Sequence, residues 1–153
     1  MPMDHPTKTI SYGEMTAKVD EMIAPLILNL WKLDILTFMS CQDNNPKRWI
    51  WIDFAAPQDA QRFLSIVANK YSSEPDSLYN RIRQWWDCKG DLWKYDLHPM
   101  DLNVDTFEVD PDTVDEKPLE GTKPEFQFTV SVRFPHSDLA EVEANIENYR
   151  KGA

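Results

Sequence analysis

The sequence predicts an α+β fold. Its sheet is four-stranded and mainly antiparallel, built from two ββα units, with helices packed on one face and one more helix on the N-terminal side. Three observations predict this. Helical and strand periodicities alternate in the order α-β-β-α-(α)-β-β-α. Two strand-like runs flank a short polar turn, which makes a hairpin and so an antiparallel pair. The stretch "EFQFTVSVRF" alternates apolar and polar residues over its whole length, as a strand does when one face packs on helices and the other does not. A chain of 153 residues reads as one domain spanning 1–153, with enough length to bury a core without disulfide or metal staples.

Residues 1–12 read as extended or disordered. Residues 14–32 read as a helix, because Val19, Met22, Ile23, Leu26, Ile27 and Leu30 fall at i, i+3, i+4, i+7, i+8 and i+11. Pro25 interrupts this stripe and predicts a kink. "DILTFMS" at 34–40 is apolar on both alternating sets and reads as a strand covered on both sides. "CQDNNPK" is rich in turn formers. "RWIWIDF" follows as the partner strand, with Ile50, Ile52 and Phe54 on one face and Trp49, Trp51 and Asp53 on the other.

Pro57 opens the next helix, whose stripe is Ala60, Phe63, Leu64, Val67, Ala68 and Tyr71. Ser73 and Asp76 predict the start of a short helix running through Trp86. "LWKYDLH" reads as a third strand. Residues 101–125 then carry nine acids against two lysines and read as an acidic loop, with a short strand at "VDTFEVD". In the fourth strand Phe126, Phe128, Val130, Val132 and Phe134 are expected to face inward. Ser137 is the expected cap of the last helix, with Leu139, Val142, Ile146 and Tyr149 as its stripe.

Composition narrows the function. A net charge of -10 repels phosphate backbones, so direct nucleic-acid binding is not expected. The one basic-aromatic grouping is Arg81, Arg83 and Lys89 near Trp85 and Trp86. Four ungrouped glycines exclude a phosphate-binding P-loop or a Rossmann cofactor site, and no cofactor is expected. Cys41 and Cys88 form no CxxC motif or zinc-spaced cluster. No apolar run is long enough to span a bilayer and no signal-peptide pattern opens the chain, so the expected location is cytoplasmic.

Three groups of residues carry chemistry. Cys41 ends an apolar strand beside a polar turn, where a thiolate nucleophile could be presented, with His98 or His136 as its base. Cysteine also packs as a small buried hydrophobe, and that reading stands beside the catalytic one. Trp49 and Trp51 share one strand face, and Trp93 and Tyr95 alternate similarly on the third strand. With Gln42 and Asp43 at its rim, such an aromatic face suits a protein partner or a small planar ligand, and could pair two copies into a homodimer. Finally, Asp101, Asn103, Asp105 and Asp112 hold positions 1, 3, 5 and 12 of a calcium-loop template. Thr106 stands where that loop needs glycine, which leaves weak surface cation binding or a solvated acidic loop.

"DEMIAPLI" at 20–27 followed by "TFMSCQ" at 37–42 resembles a D-E-x-I-x-P-L-I … T-x-x-S-C-Q pattern of small uncharacterised bacterial and phage proteins, a resemblance that implies no activity. Thr37, Ser40 and Cys41 also match a T-x-x-S-C element similar to one in wybutosine-synthesis tRNA methyltransferases. Gln42-Asp43 replaces that family's Gly-Arg, and its activity is not carried over. The leading expectation is a non-enzymatic binding or regulatory domain using an aromatic sheet face. The alternatives are an acidic protein that mimics nucleic-acid charge and a small cysteine-dependent enzyme.

Overall fold

A computed structural model describes residues 6–44, 48–84, 90–103, 107–109, 116–118 and 123–152. Eight strands occur among them: β1 (Thr7–Tyr12), β2 (Met15–Asp20), β3 (Thr37–Asn44), β4 (Trp49–Phe54), β5 (Lys94–Asp101), β6 (Phe107–Val109), β7 (Glu116–Pro118) and β8 (Phe126–Pro135). The helices are α1 (Ala24–Lys32), α2 (Pro57–Ala68), α3 (Leu78–Ile82) and α4 (Leu139–Gly152), with 3₁₀ turns leading into α1 and α4. The main sheet is four-stranded and antiparallel throughout, in the order β3-β4-β8-β5. The predicted α+β class with its two ββα units is the fold observed: β3-β4-α2 and β5-β8-α4.

The inner face of the sheet carries Ile50, Ile52 and Phe54 from β4, and Val132 and Phe134 from β8, all fully buried. They share one core with Ile27 and Leu30 of α1, Phe63 and Val67 of α2, and Val142 and Ile146 of α4. The centre is aromatic: Trp93 stacks on Phe134 at 4.6 Å between ring centroids, and Phe63 packs against Phe54 at 4.9 Å. Burying rings of this size is the largest single contribution that side chains of this core can make. A buried polar hub locks one end. Asp138 accepts a hydrogen bond from the Trp93 indole N–H at 3.0 Å and pairs with Arg81 of α3.

The N-terminal reading needs correction. Residues 15–20 are a strand, not the first turns of a helix, and they pair with β1 in an antiparallel hairpin. Gly13 makes the tight turn at φ 60°, a conformation that costs glycine nothing. Ile10 and Val19 project from one face of this hairpin into the core. The helix begins only at Ala24, so Pro25 lies in its first turn, where a missing N–H costs no intrahelical bond and no kink follows. The short helix α3 also starts later than expected. Its cap is Ser77, whose hydroxyl accepts from the Asn80 N–H at 3.2 Å.

The inward-facing stripe of β8 is only half buried. Val132 and Phe134 sit under the helices, whereas Phe126 and Phe128 are exposed, because β8 and β5 run on past the end of the helical layer. Tyr71 and Tyr149, read as parts of apolar stripes, are exposed too. Within 101–125, β6 and β7 form a small antiparallel ribbon. The neck of that segment is closed by Leu102 N–H donating to the Glu125 carbonyl at 2.7 Å.

Candidate functional site

The register of the sheet decides which predicted residues meet. Cys41 lies opposite Trp51, Trp51 opposite Arg133, and Arg133 opposite Lys94. Directly opposed residues point to the same side, so these four form a row on the outer face, away from Ile50 and Ile52. A second row holds Met39, Asp53, Ser131 and Asp96. Trp49 belongs to the outer face as well but is 6% exposed, with the Lys94 ammonium 5.5 Å from its ring centre. Trp51 is half-buried.

The expected aromatic face therefore loses most of its members. Trp93 is fully buried in the core on the inner side. Tyr95 pairs across the ladder with inward-facing Val132 and donates its hydroxyl to the Ile82 carbonyl at 2.7 Å. Burial pushes the Tyr95 phenol above its ordinary value. Alternation places Trp93 and Tyr95 on a common side, but only packing decides which side of the sheet meets the helices.

Cys41 and His98 are not brought together. They sit on opposite edge strands, three strand spacings and four residues apart, about 14 Å across and about 13 Å along the sheet. Both separations are far beyond hydrogen-bond reach. The His98 Nε2 atom lies 3.2 Å from the Ser131 hydroxyl. The His136 ring bonds through Nε2 to the backbone carbonyl of Gln42, the residue next to Cys41.

Gln42, expected at the rim of a binding face, is buried and works as a clamp. Its N–H donates to the Asp20 carboxylate at 2.9 Å, and its side-chain oxygen accepts from the Met22 N–H at 2.8 Å. It thereby ties the end of β2 to β3. Asp43 is half-buried on the same strand.

Of the calcium-loop template, Asp105 and Asp112 lie outside the described residues, as do Trp85, Trp86, Cys88 and Lys89. The Asp101 carboxylate accepts from the N–H groups of Asn103 at 2.9 Å and Glu125 at 3.1 Å. That bonding makes Asp101 a clasp at the neck of the loop.

Two features escaped sequence reasoning. The first is a buried polar group on the outer face: Asp53 beside Thr129 and Ser131. Burial raises the Asp53 carboxyl above its usual range, against the opposing influence of a Thr129 hydrogen bond and the nearby His98. Its Oδ1 atom has no hydrogen-bond partner. Alternation marked Asp53 as outward-facing, but not as buried.

The second feature is apolar. At the far end of the inner face, Leu97, Phe126 and Phe128 are 66%, 63% and 49% exposed. Pro99 lies opposite Phe128, and Leu97 lies opposite Val130, so these side chains adjoin one another across the β5–β8 ladder. Large apolar side chains gathered in this way are uncommon on a surface that meets only water.

No family model matches the chain, and no solved structure matches it. The chain is similar to an uncharacterised protein of Acanthamoeba polyphaga mimivirus, at 30% identity over 122 residues, which cover 78% of this chain and 56% of that protein. The chain thus spans a little over half the length of this curated relative. Among the described residues, no helix is long and apolar enough to cross a membrane.

Proposed function

We propose that the protein is a non-enzymatic binding domain that docks a protein partner on the apolar end of its β5–β8 ribbon. The observation that carries this reading is the contiguous exposure of Leu97, Phe126 and Phe128 on a face whose other end forms the core. An aromatic and aliphatic cluster is the composition of a protein interface centre. It supplies large contact area at little conformational cost, because each ring loses only two torsions. The reading keeps an aromatic sheet face but moves it from Trp49, Trp51, Trp93 and Tyr95 to the phenylalanines of β8. A partner with apolar anchors fits this surface better than a small planar ligand, since β5 and β8 pair with each other beyond Phe54, the last residue of β4, and so present a two-stranded surface.

A photo-crosslinking residue in place of Phe128 tests the reading, with the same group at Tyr71 as an exposed control. The expected result is a discrete cross-linked species from position 128 in an extract of the source organism, absent from position 71. A second copy of this chain in that species would identify a homodimer. Identical, diffuse products from both positions would overturn the reading.

A further inference from the structure

Helices α2 and α4 present their apolar stripes to the core, but one step around each helix lies a second, polar stripe. On α2 and just beyond it, Gln58, Gln61, Arg62, Ser65 and Asn69 follow helical spacing. Asn145, Asn148 and Tyr149 do the same on α4. The two stripes border an open cleft of about 840 Å³, within the size range of small-molecule sites.

The lining has a distinct chemistry. Five of its residues are carboxamides, and none is acidic, although the chain holds 26 aspartates and glutamates. Arg62 is the one charged lining residue. Its guanidinium already donates to the Leu33 carbonyl at 2.8 Å and reaches the Asp34 carbonyl at 3.5 Å. Asn145 is held in place by donating to the Val67 carbonyl at 2.8 Å. The Tyr149 side chain stands exposed at the edge.

The backbone adds a second, independent observation. Asn69 has φ 67° and ψ −63°, and the Lys70 N–H donates to the Ala68 carbonyl across it at 2.7 Å. This is a γ-turn of the rare, strained kind. In a residue with a Cβ it is unfavourable, and such conformations concentrate at ligand sites. Here the strained residue is one of the five carboxamides of the cleft.

We infer that the cleft between α2 and α4 binds a neutral, polyhydroxylated ligand of the saccharide class. A carboxamide both donates and accepts hydrogen bonds in a fixed plane, and a sugar hydroxyl also does both, so the two match group for group. The Tyr149 ring offers an apolar face to the C–H side of a sugar ring. The lining holds no carboxylate, and the Nη1 group of Arg62, its one cation, is already engaged by backbone carbonyls. This site is separate from the apolar ribbon end and does not depend on it.

The test is an NMR titration of the ¹⁵N-labelled protein with maltotriose, cellotriose and chitotriose in turn. Saturable shifts from at least one sugar are expected in the side-chain amide signals of Gln61 and Asn148. Both side chains are exposed, so the double variant Gln61→Ala/Asn148→Ala should fold with an unchanged melting temperature. Two lost hydrogen bonds should weaken its sugar binding about tenfold or more. Absence of cleft shifts with all three sugars would overturn the inference, as would shifts confined elsewhere or equal affinity in the double variant. Cleft shifts with sulfate or tetra-alanine but no sugar would assign the site to another ligand class and would overturn it as well.

Discussion

Asp53 shows how one buried side chain ties stability to pH. Its carboxyl is raised by burial, so the fold favours the protonated form over the ionised one. As pH climbs from the unfolded-state value through the raised native value, the unfolded chain releases its proton first and stability falls. Above that window the ionised group stays buried at a cost. Asp53→Asn removes the charge and keeps the shape, so it should raise the melting temperature at neutral pH. The advantage should shrink as pH drops into the carboxyl range. Melting curves of both proteins across that range check the sign, and a constant difference at all pH values would reject it. Asp138 is buried as well, and an indole N–H and a guanidinium satisfy its carboxylate, the condition under which a buried charge is tolerated.

At the scale of elements, the N-terminal hairpin is the instructive case. The segment 14–32 satisfies a helical stripe on paper, but Val19 reaches the core from a strand and Met22 is exposed. The hairpin signal was present: Gly13 at the first position of a two-residue turn, between threonine-rich flanks. The signal is weak because polar threonines and lysines dilute the apolar alternation, while Pro25 reads as an interruption of a helix rather than its start. Gly13→Ala tests this turn. No atom lies within 4 Å of an added Cβ, and φ is positive, so the cost is purely conformational. A loss of about 1 kcal/mol is expected, measured by urea unfolding. No loss would mean that the hairpin contributes nothing to global stability.

At the scale of the whole molecule, one strand serves two purposes. The alternating stripe of β8 supports the core at one end and faces solvent at the other. Substitution along this stripe should therefore split into two classes. Phe134→Ala empties a fully buried, ring-lined site and should cost about 3–5 kcal/mol. Phe126→Ser with Phe128→Ser changes exposed positions and should stay within about 1 kcal/mol of the parent. Chemical denaturation of the three proteins checks both. A large loss in the double variant would make those rings part of the stabilising core and would remove the basis of the docking surface.

The sequence by itself determined the fold class, the antiparallel pairing of β3 with β4, the apolar faces of β4, α2 and α4, and the absence of any P-loop or Rossmann motif. These follow from local periodicity and turn chemistry, which depend on neighbours only a few residues apart. Tertiary structure decided everything that depends on which face meets which layer. Nothing in the alternation of Trp93, Tyr95 and Leu97 states that the first two enter the core while the third stays in water. Nothing in the stripe of β8 marks where the helices end. The separation of Cys41 from His98 follows from the strand order β3-β4-β8-β5, which no local pattern encodes. The amide stripes of α2 and α4 were legible as helical spacing. Their facing each other across one cleft required the two helices to pack side by side, a consequence of burying Val67 and Ile146 in the same core.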